Sequence, residues 1–215
     1  MGSDDVLKCP YCGDALSKRP QRKTKCPACD KPIFVKSTPD DRTKRLMTEA
    51  EANEAEAMWQ AHEEQNKFVS TLQSLGLSEK DLENESDRIF SRKSKKEAFF
   101  TLLERVAKEA DDLHRRKMAH HFLAIEKSRG GKDFLIHLKE AARCELLRYQ
   151  QQNVKKVEIL TAGSGNSCSE CEKQSRKIYP IEQALKEMPL PCPSCTHAGL
   201  GDVPGFCRCT YVAAF

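Results

Sequence analysis

The chain has 215 residues, of which 39% are hydrophobic and 32% charged; this is too polar for one large apolar core and suits small modules joined by solvated helices. A net charge of +4 is too small to assign a nucleic-acid partner by itself, so the distribution of charge has to decide. No apolar run reaches the ~20 residues needed to cross a bilayer, and "MGSDDVLKCP" lacks the apolar stretch of a secretory signal, so no membrane partner and a reducing, cytoplasmic setting are expected.

Residues 1–40 form the first expected module. Eleven cysteines in a chain that reads as intracellular point to metal before disulfides. Cys9, Cys12, Cys26 and Cys29 form two Cys-x-x-Cys turns, and each turn can place two thiolates on one edge of a tetrahedron. Pro10 and Pro27 stiffen the turns, and Gly13 permits the positive φ that such knuckles need. A closed four-cysteine zinc site folds the module and does not catalyse. The alternatives are a pair of disulfides or a thioredoxin-like redox site, and the latter lacks the βαβ pattern around its motif.

Between Lys8 and Lys36 stand eight basic residues against Asp14 and Asp30, a local balance of +6. Lys18, Arg19, Arg22, Lys23 and Lys25 are the candidate phosphate contacts, with Tyr11 and Phe34 available for stacking. The alternative is a solvated loop with no partner.

Residues 41–153 are nearly free of Pro, and helices are expected throughout. One spans about 48–74 with acidic residues near its start and an end at Gly76. Ser78 and Asp81 form a capping box for a short helix carrying Leu82, Ile89 and Phe90. A single long helix is expected over about 94–128, and another over about 132–152. His114, His120 and His121 fall on the long helix without a His-Glu-x-x-His pattern and read as surface or partly buried residues. Cys144 reads as a small buried hydrophobe and Trp59 as a packing anchor.

Residues 154–215 form the third expected module, with a strand at 154–161, turns, and a small helix at about 181–188. It offers Cys168, Cys171, Cys192, Cys195, His197, Cys207 and Cys209, too many ligands for one tetrahedral zinc. Cys168 and Cys171 belong to nearly any arrangement, and their partners are either Cys192 with Cys195 or Cys207 with Cys209. One or two ions could be held here, giving two or more zinc ions for the chain.

The stretch "AARCELLRYQQQNVKKVEILTAGSGNSCSECEKQSRKIYPIEQAL", followed by "PLP" and "PGFCRCTYV", resembles the C-terminal domain of phage Mu F-like head morphogenesis proteins. The resemblance covers about residues 140–215 and rests on the order helix, strand, Cys-x-x-Cys, terminal Cys-x-Cys. It implies metal-ligand roles for Cys168, Cys171, Cys207 and Cys209, and an accessory role beside DNA or capsid. This chain departs from the pattern where Gly205 and Phe206 stand in place of His-Pro-x, and where "CPSCTH" is inserted.

The fold expected is mainly α, a helical region flanked by two small zinc-stabilised β-ribbon or knuckle modules. The function expected is a non-catalytic zinc-binding protein of phage or mobile-element type, cytoplasmic or virion-associated, engaging DNA or RNA, capsid or other phage assembly proteins. One alternative is a zinc-dependent nucleobase deaminase, with Cys168, Cys192 and Cys195 as ligands and Glu170 shuttling protons, although the helical sequence upstream lacks the required α/β scaffold. Another is a pure protein-assembly adaptor.

Overall fold

Turn-punctuated segments near both ends of the chain build sheets, and the Pro-poor middle builds helices. The computed structural model describes residues 7–88, 94–129, 134–163, 167–196 and 207–215. Helices make up roughly half of the chain, with two small antiparallel sheets beside them. The expected positions of Ile89 and Phe90, and of His197, Gly205 and Phe206, lie outside the described residues.

The chain divides into two compact units, Met1–Ser70 and Thr71–Phe215. In the first, β1 (Thr24–Lys25), β2 (Pro32–Lys36) and β3 (Arg45–Met47) form an antiparallel sheet in that order. Phe34 pairs with Met47 in register and packs against the cluster of Met47, Ala52 and Ala55. The sheet that begins in residues 1–40 takes its third strand from beyond residue 40. Helix α1 (Glu49–Ser74) opens on a reciprocal cap: Thr48 N–H donates to Glu51 Oε2 at 2.7 Å and Glu51 N–H to Thr48 Oγ1 at 3.3 Å. Trp59 of α1 is anchored as expected, its indole N–H donating to the Ser37 carbonyl at 2.8 Å.

The second unit begins as α1 ends at Gly76, with φ of 71°. The Arg115 guanidinium lies 3.6 Å from the position of a Cβ there, and its Nε donates to the Leu75 carbonyl at 2.8 Å. Helix α2 (Glu79–Asp87) carries the expected Ser78–Asp81 capping box. The single long helix expected over 94–128 is two helices, α3 (Lys95–Glu109) and α4 (Leu113–Arg129). Ala110 turns extended at ψ 131°, and Asp112 Oδ1 accepts the Arg115 N–H at 2.6 Å, so an aspartate restarts the helix in a new direction. Helix α5 (Leu135–Gln151) packs on α4.

Two buried carboxylates cross-link these helices. Glu85 of α2 pairs with Arg105 of α3. Glu145 of α5 pairs with Lys117 of α4 and, at 2.6 Å, with Arg148. Burial opposes the charge on Glu145, but the hydrogen bonds from Lys117 and Arg148 outweigh it and lower its pKa.

Beyond α5, β4 (Lys156–Leu160) is the central strand of a second antiparallel sheet, between β5 (Ile178–Pro180) and β6 (Thr210–Ala214). Helix α6 (Ser169–Glu172) and helix α7 (Ile181–Glu187) lie between β4 and β6 in sequence. Leu146 of α5 shares one core with Val157, Ile159, Ile181, Ala184, Leu190 and Tyr211. That shared core spans the boundary expected at 153, α5 adding apolar surface to that of the small sheet.

Candidate metal centres and a basic loop

The two N-terminal knuckles repeat one hydrogen-bond pattern. Cys9 N–H donates to the Asp14 carbonyl at 2.8 Å and Gly13 N–H to the Cys9 carbonyl at 3.0 Å, while Cys26 donates to Lys31 and Asp30 to Cys26, each at 2.9 Å. The residue after each second cysteine is left-handed: Gly13 at φ 78°, as expected, and Asp30 at φ 56°. Asp is among the few side-chain-bearing residues that tolerate this region.

These turns bring the Sγ atoms of Cys9, Cys12, Cys26 and Cys29 within 4.8 Å of one another. Cys9 and Cys29 are 3.9 Å apart, and Cys12 and Cys26 3.8 Å. Those separations far exceed the ~2.05 Å of a disulfide. They agree with the edge, about 3.8 Å, of a tetrahedron built on metal–sulfur bonds of about 2.3 Å. All eleven cysteines are free thiols.

The sulfurs share protons unequally. Although desolvation opposes it, N–H groups of Cys12 and Tyr11 lower Cys9 to about 7, the latter donating at 3.4 Å. The Asp14 N–H favours a thiolate at Cys12, yet burial and the neighbouring sulfurs push it up to about 12. Four thiolates cannot coexist here alone, and a divalent cation is what lets them ionise together. The group could therefore hold a metal ion.

Lys18, Arg19, Arg22, Lys23 and Lys25 are all exposed and line one concave surface of about 510 Å³ between the knuckles. They are not equally available. Arg19 donates to the Lys44 carbonyl at 2.7 Å, Lys25 pairs with Asp30 at 3.3 Å, and Lys23 lies 4.4 Å from the centre of the Phe34 ring. Lys31 covers Tyr11 at 5.1 Å, so both aromatic residues expected to stack on bases are already faced by lysines. Among the described residues, Lys18 and Arg22 remain as the uncommitted cations of this surface.

At the other end of the chain the thiols come from three separate segments. Cys168 caps the N-terminus of α6, and Cys171 lies within it. Cys195 follows a turn in which its N–H donates to the Cys192 carbonyl at 3.1 Å. Cys207 and Cys209 lead into β6, which pairs with β4 so that Tyr211 stands opposite Ile159. Tyr211 is further held by its hydroxyl, which accepts the Leu190 N–H at 3.1 Å.

Two groups of converging sulfurs result, Cys168 with Cys171 and Cys195, and Cys171 with Cys207 and Cys209. Cys168 to Cys195 and Cys171 to Cys207 both measure 3.8 Å, again the tetrahedral edge. Hydrogen-bond donors lower the pKa of two of these sulfurs. The Cys171 N–H, against desolvation and with help from Thr196, lowers Cys168 to about 6. The Cys209 thiol, against desolvation and with help from the Cys192 N–H, lowers Cys207 to about 5. Burial pushes Cys171 up, and the neighbouring Cys207 does the same to Cys209. This set also fits a metal ion.

The choice between the two expected partner pairs is resolved by neither alone. Cys195 joins from one pair, and Cys207 and Cys209 are both present from the other. Cys192 is buried but falls in neither group; its backbone N–H instead donates to Cys207 Sγ at 3.3 Å. His197 lies outside the described residues. The deaminase-type set Cys168, Cys192 and Cys195 is thus not brought together, and Glu170 pairs with Lys173 at 2.6 Å. Cys144 is buried in α5, where desolvation raises its pKa.

No helix among the described residues is long and apolar enough to cross a membrane. The chain matches no protein-family model, no curated protein and no solved structure.

Proposed function

We propose that this chain is a non-catalytic, mainly α zinc protein of phage or mobile-element type, acting in the cytoplasm or on the virion, whose metal-held modules engage nucleic acid, a head-assembly complex, or both. Zinc is the cation that best suits closed sets of thiolates with tetrahedral edges. Cys9, Cys12, Cys26 and Cys29 would hold one ion. Cys168, Cys171 and Cys195, together with the Cys207–Cys209 segment, would hold at least one more.

The observation that carries the nucleic-acid reading is the concave basic surface between the knuckles. A rigid metal-held frame presents cations to a phosphate backbone without first having to order the loop. The head-assembly reading draws its support from element order over residues 140–215. A helix leads to a strand, then to Cys-x-x-Cys, and the terminal Cys-x-Cys opens a strand that pairs with the first. That is the order on which the resemblance rests.

The test is salt-dependent binding of DNA and RNA. Neutralising Lys18, Arg22 and Lys23 together should lower the slope of log K against log salt by about two to three and weaken binding alike across sequences. Arg19→Gln is kept separate, because it also loses the Lys44 contact. Unchanged binding by the triple variant over ~50–200 mM salt defeats the nucleic-acid reading and leaves a pure assembly adaptor, to be sought by copurification from the native host. Glu170→Gln should leave metal content and binding unchanged; a deamination activity lost in that variant would instead establish the enzyme reading.

A further inference from the structure

Away from both cysteine clusters, His120 of α4 and His137 of α5 face one another. Their Nδ1 atoms are 3.2 Å apart, and the ring centroids 5.5 Å apart with the planes inclined at 38°. The pair opens into a cleft of about 330 Å³, which Glu104 of α3 and Glu140 of α5 also line. Two imidazoles so placed have two uses. One Nδ1–H can donate to the other Nδ1, or both lone pairs can converge on one cation. With metal–nitrogen bonds of about 2.0–2.1 Å, this separation corresponds to an angle at the metal of about 100°, close to tetrahedral.

The lining of the cleft favours the cation. Glu140 stands one turn beyond His137 on the same face of α5. Among the described residues its ion pair is with Arg143 Nε at 3.6 Å, and it is 40% exposed, so turning it inward breaks no strong contact. Glu104 and Glu140 also offset the positive charge of Arg116 and Lys108 around the cleft.

We propose that His120 and His137, with Glu140 turned inward as the third ligand, form a site for an imidazole-preferring divalent transition metal, separate from the cysteine-held ions and tying α4 to α5. Water completes the sphere, so the site is open and exchangeable where the cysteine sites are closed.

The full chain, with its cysteine sites loaded with zinc and excess zinc removed, is titrated with nickel(II) by calorimetry, and zinc retention is verified afterwards. One additional equivalent should bind with micromolar affinity and raise the thermal midpoint. His137→Gln should abolish that equivalent, Glu140→Gln should weaken it about 10-fold or more, and His62→Gln should leave it intact. Absence of the equivalent, or its survival in His137→Gln, overturns the proposal and reduces the pair to a hydrogen bond between rings. Should His137→Gln fail to fold, nitrogen-15 spectra of the parent decide. Simultaneous shifts or paramagnetic broadening at Nδ1 of both His120 and His137 support the site, and a response at other histidines alone overturns it.

Discussion

The two cysteine clusters build similar sulfur geometry by different means. In the N-terminal unit, each half of the site is made by its own turn, through hydrogen bonds that span at most five residues. The small cluster of Cys9, Cys26 and Ile33 beneath it offers little apolar burial. The C-terminal sulfurs come instead from α6, from the turn at Cys195 and from the segment leading into β6, packed against a larger core that α5 completes. With metal bound as proposed, the first region would depend on its ion for its fold, and the second would use its fold to gather the ion's ligands.

Metal removal breaks this comparison most directly. Stripping metal with a chelator under reducing conditions should cost the N-terminal module on the order of 10 kcal/mol or more. Hydrogen exchange should then show β1–β3 losing protection while α3, α4 and α5 keep theirs. Sustained protection of β1–β3 in the stripped protein would contradict the dependence on metal.

Next in size is the choice of ligand at the C-terminal site. Cys195→Ser should lower the metal content by one ion per chain in elemental analysis, and Cys192→Ser should not, because only Cys195 stands in a converging group. Equal losses in the two variants would show that Cys192 also ligates.

Stability of the second unit rests on buried pairs as well as on apolar packing. Glu145→Gln should destabilise it by about 3–5 kcal/mol in denaturant unfolding, since Lys117 and Arg148 lose the charge that compensates them. Lys25→Ala, at an exposed pair, should change little.

A smaller effect follows from His120, whose pKa falls from an ordinary 6.5 to about 4 on folding. The unfolded chain then binds more protons between those values. Stability should therefore be unaffected by this group above about pH 6.5 and fall as pH drops toward about 4, by roughly 2 kcal/mol after allowance for solvent screening. His137, Arg116, Lys108, Glu104 and Glu140 surround the ring, and His120→Gln should flatten this slope in pH-dependent unfolding. An unchanged slope would place the acid sensitivity in other groups whose pKa values folding lowers, such as Glu145 or His121.

The smallest effects compare the two knuckles with each other. Gly13→Ala meets no atom within 4 Å, so its cost is conformational only, about 1–2 kcal/mol for a side chain held left-handed. Asp30→Gly should do the opposite and raise the thermal midpoint, by up to ~1 kcal/mol of added stability. A destabilised Asp30→Gly would show that the aspartate side chain has a role beyond tolerating its backbone.

Much of the N-terminal site was legible in residue order, because a Cys-x-x-Cys followed by Gly closes through neighbours in sequence. The start of α2 and the end of α1 were legible for the same reason: the Ser78–Asp81 box and Gly76 act within one turn of the backbone. The break between α3 and α4 was missed although Asp112 carries a capping signal, since apolar spacing continues on both sides of it.

What residue order by itself determined about this protein is therefore its local chemistry: two terminal sets of thiols, a basic loop between knuckles, and a helical middle. Tertiary structure alone decided which C-terminal cysteines converge, that α5 completes the core of the second sheet, and that His120 meets His137. Those partners lie far apart in the chain. Their meeting depends on helix packing and on the register of β6 against β4, which no nearby residue encodes.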